Sequence, residues 1–148
     1  MSELNPLSVL IVEDQALVAM ELQFLIEDAG HDVVAWATDM EEARSALERS
    51  SADLALVDIH LADGATGTQL ASHLRDRGIP VVFMTANAKR VPQEFAGAVG
   101  IIAKPYTANS VMAALAYLHA GVRNPPPASD LPHGLQLSPM FLERWVAA

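Results

Sequence analysis

The chain has 148 residues, no Cys, 18 Asp plus Glu against 9 Lys plus Arg, and a formal net charge of −9. That length suits one domain of about 100–200 residues, and 51% hydrophobic with 18% charged residues excludes a disordered chain. The missing Cys excludes a disulfide framework, a thiolate metal cluster and a Cys nucleophile, and the acidic balance excludes a polyanion such as nucleic acid as the main partner.

Ser8–Val12 is a continuous apolar run that predicts a strand, ended by Glu13-Asp14. Val18, Leu22, Leu25 and Ala29 recur at helical spacing over 16–29, and Gly30 stops that helix. Asp32–Trp36 reads as a second strand, and Asp39 caps a helix that carries Ala43, Ala46 and Leu47 to Arg49. Leu54–Val57 is a third, buried strand ended by Asp58. A Gly- and Asp-containing loop leads to a helix over Gly67–Asp76, closed by Gly78. Pro80–Met84 predicts a fourth strand ended by Thr85. A helix over 88–96 is shortened or delayed by Pro92. Val99–Ala103 is a fifth strand, ended by Lys104-Pro105, and Thr107 caps a helix whose buried stripe is Val111, Leu115 and Leu118. Five strands alternating with five helices predict an α/β fold with a doubly wound parallel sheet. Strands buried on both faces read as solid apolar runs.

Residues 124–129 (Asn-Pro-Pro-Pro-Ala-Ser) then read as a stiff linker. The division is therefore 7–121 as one domain, and 122–148 as a linker and short tail. In the tail Ser138 and Pro139 open a short helix that places Phe141 and Trp145 on one face. Those aromatics pack on their own domain, form a dimer contact or constitute a partner motif. Met1-Ser2-Glu3-Leu4 has no basic region followed by an apolar stretch, and no apolar run reaches the ~20 residues that cross a bilayer. A cytoplasmic protein without membrane contact is expected.

Charge is uneven along the chain: residues 1–63 carry 14 acids and 2 bases, whereas 64–121 carry 2 acids and 5 bases. In an open parallel sheet ligands sit beyond the carboxyl ends of the strands, where this sequence places Glu13, Asp14, Asp58, Thr85 and Lys104. Three converging carboxylates raise one another's pKa unless a cation is near. Hard oxygen ligands suit Mg2+, and a Lys and a Thr hydroxyl suit phosphoryl oxygens. The set fits phosphoryl transfer onto a carboxylate. Taken singly, Asp58 also reads as a loop cap, Glu13-Asp14 as a helix cap, Thr85 as a β-branched strand residue and Lys104 as a surface cation. The five His show no metal-ligand spacing. On the first helix Leu17, Met20 and Phe24 form a second apolar stripe, either a wide core face or a docking surface.

From Leu7 to Gly121 the chain resembles the receiver domain of two-component response regulators. The motifs are VLIVED over 9–14, LALVD over 54–58, VVFMTA over 81–86 and IAKPY over 102–106. They are separated by 44 residues from Asp14 to Asp58, 27 to Thr85 and 19 to Lys104. The resemblance implies a flavodoxin-like sheet of order 2-1-3-4-5. It also implies Asp58 as phosphoacceptor for a histidine kinase, Thr85 as the switch hydroxyl and Lys104 as the phosphoryl partner. Mg2+ is implied on Asp14, Asp58 and the backbone carbonyl of His60, with Glu13 bound through water. It further implies a small Ala86 beside the phosphate, a cis Lys104-Pro105 bond, and a kinase helical hairpin docked on the first helix. The chain departs from the family where Ile101 replaces an aromatic, where Ala62 replaces a Pro, at Gly67 (one residue late) and at Pro92 and Gly97. Such departures are similar to alphaproteobacterial receivers, some of which pair with HWE-type kinases. Too few residues follow Gly121 for a DNA-binding domain, so a stand-alone, non-enzymatic phosphorylation switch is expected. A phosphate sink or shuttle for a phosphotransfer protein, and a constitutive interaction module, are the alternatives.

Overall fold

The computed structural model describes residues 5–59, 67–86, 91 and 95–146. Their elements are β1 (Ser8–Val12), α1 (Ala16–Asp28), β2 (Asp32–Ala37), α2 (Met40–Arg49), β3 (Leu54–Asp58), α3 (Gly67–Asp76), β4 (Val81–Thr85), β5 (Gly100–Ala103), α4 (Ala108–Arg123), β6 (Leu135–Leu137) and α5 (Pro139–Trp145). The sheet runs β2-β1-β3-β4-β5-β6. Every pairing is parallel except β5 with β6.

Each central strand buries alternate residues in two separate cores, because side chains alternate faces with a period of two. Val9, Ile11, Leu54, Leu56, Val82, Met84 and Ile102 point to the side covered by α1 and α4. Leu10, Val12, Ala55, Val57, Val81, Phe83 and Ile101 point to the side covered by α2 and α3. This two-sided burial explains the unbroken apolar runs. Strand β2 lies at the edge, and its Asp32 and Trp36 are exposed. The helix caps form as their chemistry requires. Asp39 accepts from the Glu42 N–H at 2.8 Å, and Thr107 and Ser110 form a reciprocal capping box.

Two sequence expectations are corrected. The sheet has six strands instead of five, because part of the segment read as linker and tail returns to the β5 edge as β6. A three-residue apolar-polar-apolar run behind a Pro-rich stretch is too short to be read as a strand without its partner. In the predicted 88–96 helix, residues 88–90 and 92–94 lie outside the described set. Phe95–Gly97 is a single 3-10 turn, with Phe95 and Ala96 at φ 57° and 50°. That left-handed backbone is incompatible with a continuing α-helix and goes with a Phe95 side chain buried in the α2–α3 core. The fifth helix among the described residues is α5, whose Ser138 cap accepts from the Phe141 N–H at 3.3 Å.

At the opposite end of the sheet from the strand carboxyl ends, His31 is buried, and its Nδ1 accepts the Leu7 N–H at 3.0 Å. Its ring meets His119 edge-on, with centroids 4.7 Å apart. No sequence spacing could show this pair, since it joins the start of β2 to α4. Burial lowers the His31 pKa below its ordinary value of 6.5. His119 and Arg123 push the same way against Asp32. A base with a depressed folded pKa binds fewer protons folded than unfolded, so stability is complete above about pH 6.5 and falls as the pH drops below it. The thermal midpoint should therefore decline on acidification from pH 7 to 5, and His31→Gln should flatten that decline. An unchanged slope in the variant would show that His31 is not the group responsible.

Candidate active site

Parallel strands in register bring their carboxyl ends to one rim. Val12 lies opposite Val57, Asp58 opposite Met84, and Thr85 opposite Ala103. The residues that follow β1 and β5, and the last residues of β3 and β4, therefore meet there. Glu13, Asp14 and Asp58 each place a carboxylate oxygen within 4.8 Å of the others. Glu13 and Asp58 are buried, Asp14 is exposed, and Thr85 is buried beside them at the end of β4. The Lys104 ammonium donates to Glu13 Oε1 at 3.1 Å and to Asp58 Oδ2 at 3.4 Å. The structure thus unites Glu13, Asp14, Asp58, Thr85 and Lys104, while His60 and Ala62 lie outside the described residues.

Backbone bonds hold these ends in place. The Glu13 N–H donates to Ala37 O at 2.9 Å, and the Lys104 N–H donates to Thr85 O at 2.7 Å. The Trp36 indole N–H donates to Glu13 O at 2.7 Å. The cap position of α1 is Gln15, whose N–H donates to Glu13 Oε2 at 3.2 Å, so Asp14 is left to face the cleft without capping the helix. Gly67 opens α3 directly against the end of β3. A Cβ there would lie 2.6 Å from Asp58 O and 2.7 Å from Ile59 Cα, so only glycine permits this approach. The peptide bond between Lys104 and Pro105 is cis.

The carboxylates are crowded. Burial above all, and then the Asp58 charge, push the Glu13 pKa up to about 7 against the opposing pull of Lys104. One ammonium shared by two carboxylates of a three-carboxylate group leaves an excess of negative charge. Such a donor set, hard and oxygen-only, fits a divalent cation of the Mg2+ class.

Beside the acids lies an open cleft of about 320 Å³ walled by Val18, Glu21, Ala86, Lys104, Pro105 and Tyr106. Burial, followed by the charges of Glu21, Glu13 and Asp58, raises the Tyr106 hydroxyl to about 12, so it stays protonated. Sequence reasoning missed Glu21 and Tyr106 as walls of this cleft. The available signal was the i, i+3 spacing of Val18 and Glu21 on the first helix. The stripe of Leu17, Met20 and Phe24 is exposed at 82%, 60% and 66%, which removes the wide-core reading. Phe141 and Trp145 pack on their own domain. Trp145 stacks edge-on against Tyr117 and Phe141.

Comparisons with known proteins agree with this geometry. Residues 9–116 match the family model of the response regulator receiver domain. The phyllosphere-induced regulator PhyR of Methylorubrum extorquens is 37% identical over 110 residues, covering 72% of this chain and 41% of that protein. The sensory transduction protein RegX3 of Mycolicibacterium smegmatis is 34% identical over 128 residues, covering 83% and 55%. This chain therefore spans about half the length of the curated relatives it matches. Among solved structures, the PhyR receiver domain of Erythrobacter litoralis superposes with a TM-score of 0.71 at 28% identity, covering 84% of this chain and 97% of that one. SdrG of Sphingomonas melonis gives 0.65 at 32% identity, covering 77% and 97%. With the strand order 2-1-3-4-5, the acidic rim and a family match over most of its length, this chain belongs to the response regulator receiver domain family of two-component phosphorelay signalling.

Proposed function

We propose that this receiver accepts a phosphoryl group on Asp58 from a sensor histidine kinase, and that the modified domain presents an altered surface to a partner. The observation that carries the reading is the Lys104 ammonium bridging Glu13 and Asp58 beside Thr85, at the meeting point of four strand ends. Asp14 and Asp58 would hold Mg2+ directly, Glu13 through water and His60 through its backbone carbonyl. When bound, the ion supplies charge neutralisation for the carboxylates and the incoming phosphoryl oxygens.

The chain's own groups supply the remaining chemistry. An Asp58 carboxylate oxygen attacks phosphorus, the P–N bond to the kinase histidine breaks, and its electron pair returns to the imidazole. Lys104 exchanges its carboxylate contact for a phosphoryl oxygen and stabilises charge spread over the transferring group. The Thr85 hydroxyl donates to a phosphoryl oxygen, and Ala86 keeps the adjacent volume small. Tyr106, protonated at all working pH, closes one wall and limits water on that side. The exposed Leu17, Met20 and Phe24 of α1 suit an apolar helical hairpin of the kinase, which we take to be of the HWE type. We assign residues 7–121 to the receiver unit and 122–148 to an appended element, in a protein that acts in the cytoplasm by phosphorylation rather than as a general catalyst. No helix among the described residues is long and apolar enough to cross a membrane.

Incubation with Mg2+ and acetyl phosphate, followed by intact-mass measurement, tests the assignment. One phosphoryl group should be gained with Mg2+ and none after chelation. No mass gain in the wild-type chain would remove the receiver chemistry from this site.

A further inference from the structure

The outer strand β6 closes the β5 edge of the sheet. It pairs antiparallel with β5 through Gly100–Leu137, Ile101–Gln136 and Ile102–Leu135, and the Ser138 N–H donates to Val99 O at 2.9 Å. Leu135, Leu137 and Trp145 are buried in the α1–α4 core, whereas Gln136 is exposed. Two glycines of the body make room for these contacts. A Cβ on Gly121, inside α4, would lie 2.4 Å from the Trp145 ring, and one on Gly100 would lie 2.4 Å from Gln136 O. Gly121 stands in the last turn of α4, where a glycine leaves the space that the Trp145 ring fills. The body is shaped to receive this segment.

The attachment is nevertheless of a separable kind. The sheet order 2-1-3-4-5 is complete without β6, and the family match ends at residue 116. Among the described residues, the ion pairs all lie within 5–123, and none ties 124–146 to the body. The segment is held by the buried Pro127, Leu135, Leu137 and Trp145, by the partly buried Leu131 and Phe141, and by a short backbone ladder. Removed from its seat, it would expose an unpaired strand edge and an adjoining notch at Gly121.

We propose that residues 124–146 form a displaceable strap, bound in cis over the β5 edge and the α4 flank. The seat beneath it takes an external segment of the same pattern when the strap lifts. That segment is a short strand with alternate apolar residues, followed by a helix that places an aromatic in the Gly121 notch. Recognition would be strand addition to a sheet edge, with backbone bonds supplying affinity and the pockets supplying specificity. A tethered occupant competes at an effective concentration on the order of millimolar, so the strap sets a threshold that a partner must exceed. Because β5 leads from its paired residues straight to Lys104, occupancy of this edge and the geometry of the acidic cleft share one strand. The seat itself does not depend on Asp58 being phosphorylated.

Gly121→Leu in the full chain should expel the Trp145 ring. A red-shifted tryptophan emission is expected, with hydrogen exchange of the β5 and Ser138 amides faster by roughly tenfold or more and that of β1 and β3 unchanged. Equal acceleration in β1 and β3, or a chain that fails to fold, would make the segment part of the cooperative core and overturn the proposal. In a second arm the seat is kept and the strap altered, by Leu135→Asp, Leu137→Asp and Trp145→Ala together. A synthetic peptide of residues 131–146 should then bind saturably, and adding Gly121→Leu should abolish that binding. Absence of peptide binding overturns the proposal, as does a wild-type dimer in solution whose tails are exchanged between copies.

Discussion

Asp58→Asn should take up no phosphoryl group from acetyl phosphate or from a kinase, while its metal-free form becomes more stable than wild type. The two effects have one origin. In the proposed transfer Asp58 would carry the nucleophilic oxygen, and an amide in its place offers no comparable nucleophile, so incorporation should fall below detection by intact mass. The same carboxylate crowds Glu13 and Asp14 within 4.8 Å, and its charge is the second cause, after burial, of the raised Glu13 pKa. Removing it relieves like-charge repulsion and leaves Lys104 its shorter contact, to Glu13 at 3.1 Å. A gain on the order of 1 kcal/mol in urea unfolding without Mg2+ is expected. Added Mg2+ should stabilise the wild type by ligand linkage and the variant much less. Phosphoryl uptake by Asp58→Asn would place the acceptor elsewhere. A loss of metal-free stability would mean that the Asp58–Lys104 contact outweighs the repulsion.

The second large effect is expected at Lys104. Truncation to alanine removes the cation that bridges Glu13 and Asp58 and that would meet the transferring oxygens. Loss of one such preorganised charge costs about a hundredfold or more in rate, so phosphorylation of Lys104→Ala should nearly cease. Metal binding should persist, since all three carboxylates remain and a competing cation has gone. Trp36 offers the readout, because its indole N–H donates to the Glu13 carbonyl at 2.7 Å and its fluorescence should respond to Mg2+ in both proteins. Phosphorylation at the wild-type rate in Lys104→Ala would contradict the assigned role. Loss of the Mg2+ response would mean that Lys104 shapes the site rather than serving the transfer.

Lys104 follows β5 directly, and β5 is paired on one side with β4 and on the other with β6. Ile101, in place of the family's aromatic, is buried on the α2–α3 side opposite the exposed Gln136 of β6. A β-branched side chain there is stiff at χ1, so rotamer exchange of a large ring is unavailable as a relay in this chain. Lys104 is continuous with β5, which pairs with β6 through Gly100, Ile101 and Ile102.

Most of the acidic rim is legible in the sequence. The apolar runs of β1, β3, β4 and β5 are local signals, and parallel strands of a doubly wound sheet must end on one rim. Glu13, Asp14, Asp58, Thr85 and Lys104 were therefore placed together by pattern alone. The caps at Asp39, Thr107 and Ser138 were legible for the same reason, since a cap bonds within three residues of itself. Other features depend on contacts between distant segments, and no local period encodes them. The exposure of Leu17, Met20 and Phe24 depends on how α1 rotates onto the sheet. The His31–His119 pair joins β2 to α4, and the left-handed turn at Phe95 and Ala96 depends on a core site for Phe95. Strand β6 exists only because β5 offers an edge and Gly100 and Gly121 leave space for Gln136 and Trp145. Sequence alone determined the parallel sheet and the acidic residues gathered at its rim, because periodicity and strand-end residues are carried locally. Tertiary structure alone decided what covers the sheet's far edge, because an edge strand is defined by its partner.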